Sequence, residues 1–199
     1  MPENNHLRKR QVQNILNAFD YAHSLDRPFN YFVVIRLNDT IAQASCTAFG
    51  KIMAKYRCWL SYKRKIGETE AAPSYAFTHE NPTGRNPHVN FCVHVPENLT
   101  EEFELKLPIW IEKVQGELEQ DTLSAEPLMP RGYKAVAFYI NKGVDPEFID
   151  HFNLRHWHDK RGPQGVIYGQ RAGFSRSMGP TAIRNAGFDP VAYGRRLRT

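Results

Sequence analysis

Cysteine is scarce in this sequence, and long apolar runs are missing. The three cysteines, Cys46, Cys58 and Cys92, are an odd number and lie far apart, which argues against a disulfide framework or a zinc knuckle and favours a reducing compartment. A membrane-spanning helix needs about 18 uninterrupted apolar residues, and no stretch of this sequence approaches that length. Residues 1–10 also lack the apolar core of a secretion signal. We therefore expect a soluble, cytoplasmic protein with no membrane partner.

The charge is small in total and unevenly distributed. The 199 residues carry a net charge of +5, and 41% of them are hydrophobic, which is enough for one folded domain. Residues 151–199 contain nine basic and two acidic residues, whereas residues 1–150 contain 17 basic and 19 acidic residues. A basic C-terminal quarter on a near-neutral body favours a polyanionic partner such as nucleic acid, although a solubilising tail has the same composition.

Hydrophobic periodicity predicts alternating helices and strands. Apolar residues at three- and four-residue steps predict helices over residues 6–24, 40–65, 100–119 and 133–142. Pro108 should kink the third of these helices or make it start again. β-Branched and aromatic runs predict strands over residues 31–37, 74–79 and 88–95, with a further short strand as an open alternative within 120–129. The turn-rich composition of residues 80–87 predicts a hairpin between the second and third of these strands.

The predicted strand at 88–95 carries an unusual set of polar residues on one face. Side chains alternate along a strand, so His88 and Asn90 share a face with Cys92 and His94. At ~3.3 Å per residue, His88 and Asn90 lie about 6.7 Å apart, near enough to reach one metal ion, whereas His94 lies too far from His88. A half-exposed strand with scattered polar residues is the alternative interpretation.

Tyr139 and Lys142 lie three residues apart in the last predicted helix and therefore share a face. A neighbouring cation favours the phenolate form of tyrosine. A tyrosine activated in this way can attack a phosphodiester and form a covalent phosphotyrosine. A helix with one aromatic residue and one solvated lysine is the alternative interpretation.

The order of these features resembles the HUH endonuclease superfamily, particularly its small rolling-circle replication initiators (Rep-like proteins). Members carry a strand motif His-hydrophobic-His, followed downstream by Tyr-x-x-Lys. The segment from Glu80 to His88, ENPTGRNPH, is similar to the family's Glu-x-x-x-Gly-x-Pro-His, and residues 31–37, YFVVIRL, look like its first strand motif. The resemblance covers about residues 31–143. It implies an α+β fold, related to the ferredoxin-like folds, with an antiparallel central sheet and flanking helices.

The resemblance also implies a function. It implies nicking and joining of single-stranded DNA, or of a DNA hairpin at an origin, during replication or mobilisation of a plasmid or phage. Tyr139 would be the nucleophile and Lys142 would stabilise the phenolate or the phosphate. Manganese or magnesium would be held by His88, Asn90 and Glu80. Asn90 stands where the family has its second histidine; an amide oxygen suits hard cations but is a poorer ligand for softer metals.

The resemblance and the charge distribution together predict how the chain is organised. An N-terminal helix is expected within residues 1–28, the HUH-like domain over 29–150, and a basic extension packed on the same domain over 151–199. The predicted DNA contacts are all cations of this extension: Arg155, Lys160, Arg161, Arg171, Arg176 and Arg184. A catalytically inactive binding protein on the same fold, and an unrelated α/β protein with accidental motif matches, are the alternatives. The sequence leaves the oligomeric state open.

Overall fold

The helices and strands follow the predicted order, with additional short elements near both ends. The computed structural model describes residues 3–38, 44–129 and 132–191. Its helices are α1 Lys9–Ser24, α2 Ala44–Lys65, α3 Thr100–Gln115, α4 Tyr133–Ile140, α5 Arg155–Arg161 and α6 Pro180–Asn185. Its strands are β1 Glu3–Asn4, β2 Tyr31–Arg36, β3 Tyr75–Glu80, β4 His88–Val93, β5 Leu123–Pro127, β6 Ile167–Tyr168 and β7 Ala172–Phe174.

A five-stranded antiparallel sheet forms the centre of the fold. Its strand order is β5-β2-β4-β3-β7, and every neighbouring pair is antiparallel. The predicted hairpin is β3–β4, whose register places Glu80 opposite His88 and Thr78 opposite Asn90. The prediction of an α+β fold with an antiparallel central sheet and flanking helices is therefore confirmed. The features specific to the HUH superfamily stay a prediction.

Helices cover both faces of this sheet. Cys92 of β4 belongs to an apolar cluster with residues of α1 and α4, whereas Val89, Phe91 and Val93 belong to a cluster with residues of α2 and α3. The alternation predicted along residues 88–95 thus separates two hydrophobic cores. None of the helices in the described part of the chain combines the length and the apolarity needed to cross a membrane.

Most differences from the predicted bounds lie at helix ends. α3 is one continuous helix through Pro108, because Leu107 and Ile111 bury the same side of it on the sheet, and this packing outweighs the missing hydrogen bond. It ends at Gln115 rather than at 119, since the next residue, Gly116, adopts φ +90°. The predicted start of α2, residues 40–43, lies outside the described residues.

The described part of the predicted C-terminal extension packs along the open edge of β3. β7 pairs with β3, the amide of His79 donates to the carbonyl of Arg171 at 2.7 Å, and the amide of Asn81 donates to the carbonyl of Gln164 at 2.9 Å. Gly165 is held so closely against Asn81 that an added Cβ would lie 1.8 Å from its carbonyl oxygen. This close contact fixes the position of the C-terminal segment against the end of β3.

The close approach at Gly165 gives a stability prediction with a matched control. Gly165 and Gly162 both have a positive φ, +67° and +66°, but a Cβ at Gly162 would meet no atom within 4 Å. We expect Gly162→Ala to lower the free energy of unfolding by about 1–3 kcal/mol, because its φ and ψ of 66° and −168° lie in a region that only glycine adopts readily. We expect Gly165→Ala to lower it by more than about 3 kcal/mol, because backbone must also move. Equal losses in urea unfolding would contradict the packing described here.

Candidate active site

Three ionisable side chains meet at the end of the β3–β4 hairpin. Nε2 of His88 lies 3.0 Å from Oε2 of Glu80, and Nζ of Lys142 donates to Oε1 of the same carboxylate. The Glu80 and Lys142 side chains are each only 3% exposed, against 18% for His88. The fold therefore brings together two motifs that are about fifty residues apart in the chain, and it does so inside the protein.

Backbone pairing fixes the positions of these three side chains. The β3–β4 register sets Glu80 and His88 side by side on the sheet face that α1 and α4 cover. α4 ends before Lys142, and the following turn is tied to the N-terminal segment by two hydrogen bonds. The amide of Leu7 donates to the carbonyl of Gly143 at 2.8 Å, and the amide of Asp145 donates to the carbonyl of Leu7 at 3.0 Å.

Tyr139 lies against this cluster and is half-buried. Nζ of Lys142 lies 3.8 Å from the centroid of its ring, and the Arg161 guanidinium lies 5.5 Å from the same point. The rings of Phe32 and Trp157 pack edge-on against Tyr139, with centroids 5.8 and 5.5 Å away. The phenol is thus oriented by aromatic packing and flanked by two cations.

The electrostatics at Tyr139 differ from the sequence-based expectation. Burial raises the pKa of Tyr139, the Glu80 carboxylate raises it further, and Arg161 opposes both. Lys142 does not lower this pKa, because its ammonium pairs with Glu80 and lies over the face of the ring. In the protein without DNA, Lys142 is thus engaged with Glu80, and its role in stabilising the phenolate or the phosphate stays a prediction.

Glu80 is held ionised. Burial alone would raise the pKa of Glu80, but the hydrogen bond from His88 and the charges of Lys142 and His88 outweigh burial and lower it. Burial lowers the pKa of Lys142, and the pairing with Glu80 works in the opposite direction. Glu80 thus provides the negative charge around which the cluster is arranged.

The surroundings of His88 suit a bound cation. Nδ1 of His88 lies 3.1 Å from the carbonyl oxygen of Asn86, and Nε2 lies 3.0 Å from Oε2 of Glu80, so both ring nitrogens face acceptor oxygens. The contact between Nε2 and Glu80 is bridged by a proton, and a metal ion that takes the place of this proton would be bound by the same two groups. A histidine that binds metal commonly donates its other ring N–H to a backbone carbonyl in this way.

Asn90 completes the predicted ligand set only in part. It is 1% exposed, and neither Oδ1 nor Nδ2 has a hydrogen-bond partner among the described residues. The hydroxyl of Thr78, its cross-strand neighbour, also has no partner there. Such unpaired buried groups are costly unless a water or an ion satisfies them.

The donor atoms of the predicted ligands therefore fit a small, hard divalent cation, although Lys142 would compete with that cation for Glu80. Glu80, His88 and Asn90 would supply a carboxylate oxygen, an imidazole nitrogen and an amide oxygen, which suit manganese or magnesium. Lys142 already neutralises Glu80 and would compete with the ion. Over the described ranges, no group of three or more His, Cys, Asp or Glu residues forms a metal site by itself.

The other two histidines near the hairpin lie elsewhere, as expected. His79 faces α2, and its ring centroid lies 5.3 Å from that of Phe49. Burial lowers the pKa of His79 to about 3, so it is neutral. Nδ1 of His94 lies 2.9 Å from the carbonyl oxygen of Pro28. Neither histidine reaches the Glu80 cluster through a hydrogen bond.

The six predicted DNA contacts divide into two groups. Five of them are exposed: Arg155, Lys160, Arg161, Arg176 and Arg184. Arg171 is 2% exposed, and its guanidinium donates to the carbonyls of Asn4, Gly165 and Gln164. Arg171 is therefore corrected from a DNA contact to a structural residue. Residues 192–199, which carry three further arginines, lie outside the described residues.

Sequence reasoning missed the roles of several residues at this site. Trp157 packs edge-on against Tyr139, a contact that its position in the sequence does not indicate. Asn141 is fully buried, donates through Nδ2 to the carbonyl of Ala137, and its Oδ1 has no partner among the described residues. A polar residue beside Tyr-x-x-Lys in a buried helix end is a weak signal that could have indicated it.

The sequence was compared with protein-family models and with curated proteins. No protein-family model matches the chain, and no curated protein matches it at a significant level.

The buried ion pair gives a second stability prediction. We expect Lys142→Met to lower the free energy of unfolding by about 3–5 kcal/mol, because it leaves the Glu80 carboxylate buried without its cation. The double variant Glu80→Gln with Lys142→Met should recover most of that loss, since no charge is then left unpaired. Chemical denaturation at neutral pH measures all three proteins.

The control for this experiment is an exposed ion pair. Arg155 pairs with Asp150, and both side chains are largely exposed, at 60% and 70%. Arg155→Met should leave the free energy of unfolding nearly unchanged, because solvent screens such pairs. A Lys142→Met variant as stable as Arg155→Met would show that the Glu80 contact contributes nothing.

Proposed function

We propose that this protein nicks and rejoins single-stranded DNA through a covalent intermediate at Tyr139, in a reaction that depends on a divalent metal ion. The observation that carries the proposal is the Glu80–Lys142 ion pair, which joins the His88 motif of the hairpin to the Tyr139 motif at the end of α4. A nucleophile, two cations and a candidate cation site thereby share one region. The resemblance to HUH proteins supports the same chemistry.

The proposed reaction exchanges one phosphoester for another. The Tyr139 oxygen attacks the scissile phosphorus and loses its proton, a P–O bond forms, and the bond from phosphorus to the 3′ oxygen breaks. The products are a 5′-phosphotyrosyl bond and a free 3′-hydroxyl, which can later attack the phosphotyrosine and restore the strand. A divalent ion at His88, Asn90 and Glu80 would polarise the scissile phosphate as a Lewis acid.

The protein's own residues bind and orient the strand. Arg161 is exposed beside Tyr139, so its guanidinium is available to a phosphate at the tyrosine. Lys160 continues the positive charge along α5, whereas Arg155 pairs with Asp150. Phe32 and Trp157 fix the ring of Tyr139, which lowers the entropy lost when it reaches the attacking geometry.

A binding-only function is the second candidate, and one observation favours it. Lys142 is engaged with Glu80, and burial raises the pKa of Tyr139, so the tyrosine is not activated in the protein alone. Together with asparagine at the second motif position, this arrangement suits a protein that keeps the fold and binds nucleic acid as a regulator. The two functions differ in whether a covalent adduct forms.

Adduct formation is the test of the proposal. The purified protein would be incubated with manganese and a pool of labelled single-stranded and hairpin oligonucleotides, then analysed on denaturing gels. We expect a covalent protein–DNA adduct that is lost in Tyr139→Phe, because the hydroxyl is the attacking group. Tyr62→Phe, at a 58% exposed tyrosine of α2, is the control and should retain the adduct.

The outcomes separate the candidates. DNA binding without an adduct over a broad pool would favour the binding-only function. An adduct that survives Tyr139→Phe would assign the nucleophile to another residue. Neither binding nor adduct would contradict both functions and favour an accidental motif match.

Metal binding is a separate prediction that does not require the DNA substrate. Titration with manganese, followed by electron paramagnetic resonance, should show one site whose affinity falls by more than about tenfold in His88→Ala. The exposed His6→Ala is the control and should bind normally. Lys142→Met should bind manganese more tightly than the unmodified protein, because the competing cation is removed from Glu80. Equal affinity in all four proteins would place any bound manganese elsewhere.

A further inference from the structure

A cavity of about 350 Å³ lies on the opposite face of the sheet from Tyr139, between α2 and the β3–β7 edge. Its volume is within the range of small-molecule sites, about 300–1,000 Å³. α2 contributes one side of it, including Phe49 and Gly50, and the sheet edge contributes the other, including Phe77 and Phe174. None of its lining residues belongs to the Glu80 cluster.

Four of the residues that line the cavity are aromatic: Phe49, Tyr75, Phe77 and Phe174. Phe49 and Phe77 lie edge to face with centroids 4.9 Å apart, and the Tyr75 ring lies 6.5 Å from Phe77. Phe77 and Phe174 are only partly buried, so they present apolar surface to the cavity. Aromatic side chains of this kind stack on the π-faces of nucleobases without regard to sequence.

Two arginines flank the same cavity. Arg57 and Arg176 are both exposed and line it, and neither forms an ion pair with a carboxylate within the described ranges. Two unpaired guanidinium groups beside an aromatic pocket suit an anionic group attached to a planar ring. A phosphate is such a group.

A buried histidine lies at the inner end. His79 lines the cavity and is 2% exposed, and its Nδ1 has no hydrogen-bond partner among the described residues. The ring nitrogens of an imidazole are hydrogen-bonding groups. His79 therefore offers a polar contact at this end of the cavity.

Gly50 lines the cavity without a side chain. It lies inside α2, where glycine is less favourable than alanine, yet an added Cβ would meet no atom within 4 Å. Neither packing nor backbone conformation requires a glycine there. Because Gly50 lines the cavity, we expect a larger side chain at this position to narrow it.

We propose that this cavity binds one nucleotide, with its base among the aromatic rings and its phosphate on Arg57 and Arg176. The nucleotide is either a free mononucleotide or one unit of a single-stranded nucleic acid. The inference goes beyond the nicking function and does not depend on it, because it uses neither Tyr139 nor a metal ion. It makes the α2 face a second nucleotide-binding surface.

The experiment uses the Tyr139→Phe protein, so that binding is measured without cleavage. Calorimetry or fluorescence anisotropy would measure binding of thymidine monophosphate, an oligothymidylate of about 12 nucleotides, and inorganic phosphate. Gly50→Leu should weaken binding of the nucleotide probe by about tenfold or more, because the leucine fills the cavity. Thermal unfolding checks that the variant is folded. Ser61→Leu, exposed on α2 and outside the cavity, is the control.

Each outcome supports or overturns the proposal. Gly50-sensitive binding of the mononucleotide identifies the free nucleotide as a ligand, and Gly50-sensitive binding of the oligonucleotide alone identifies a single strand. Binding by neither probe, equal binding by Gly50→Leu, or phosphate binding as tight as that of the mononucleotide overturns it. These results do not depend on whether an adduct forms at Tyr139.

The arginines give an independent readout. Replacing Arg57 and Arg176 together by glutamine should reduce the slope of log affinity against log salt for the oligonucleotide by about 2, one for each lost phosphate contact. Arg64→Gln, exposed at the end of α2 and outside the cavity, should not reduce it. An unchanged slope in the double variant would remove the phosphate part of the proposal.

Discussion

The buried ion pair between Glu80 and Lys142 is the constraint on which the candidate active site depends. Removing two charged groups from water costs several kcal/mol for each ion, and only close pairing with further hydrogen bonds offsets it. Here the His88 ring supplies a further contact to the carboxylate. The pair joins the hairpin to the turn after α4, so the position of Tyr139 follows from it. Because of this pair, Lys142 forms its ion pair with Glu80 and contacts Tyr139 only at the face of the ring.

Helices on both faces of the sheet give the protein two separate chemical surfaces. His79 and Glu80 are consecutive residues, yet one faces the aromatic cavity beside α2 and the other faces the polar cluster beside α4. The period of two along a strand is the physical cause. A strand that carries functional residues on both faces can serve two sites without any insertion in the chain, and β3 does so in the functions proposed here.

The C-terminal segment is both a basic surface and part of the fold. Its overall charge favours a polyanion, and Arg161 and Arg176 remain exposed for one. Arg171 is different, because three backbone carbonyls bind its guanidinium and burial lowers its pKa only to about 10. Counting charges along a sequence cannot separate these cases, since the difference is burial. Contacts at Gly165 and β7 hold the segment on the edge of β3.

The main strands and helices, the β3–β4 hairpin and the faces of residues 88–95 could be predicted from the sequence, because periodicity and turn composition act between near neighbours. The resemblance to HUH proteins grouped Glu80, His88, Tyr139 and Lys142 before their contacts were known. The ion pair of Lys142 with Glu80 and the cavity beside Gly50 are visible only in the folded chain. These features depend on contacts between residues far apart in the chain, whose geometry and burial no local pattern encodes.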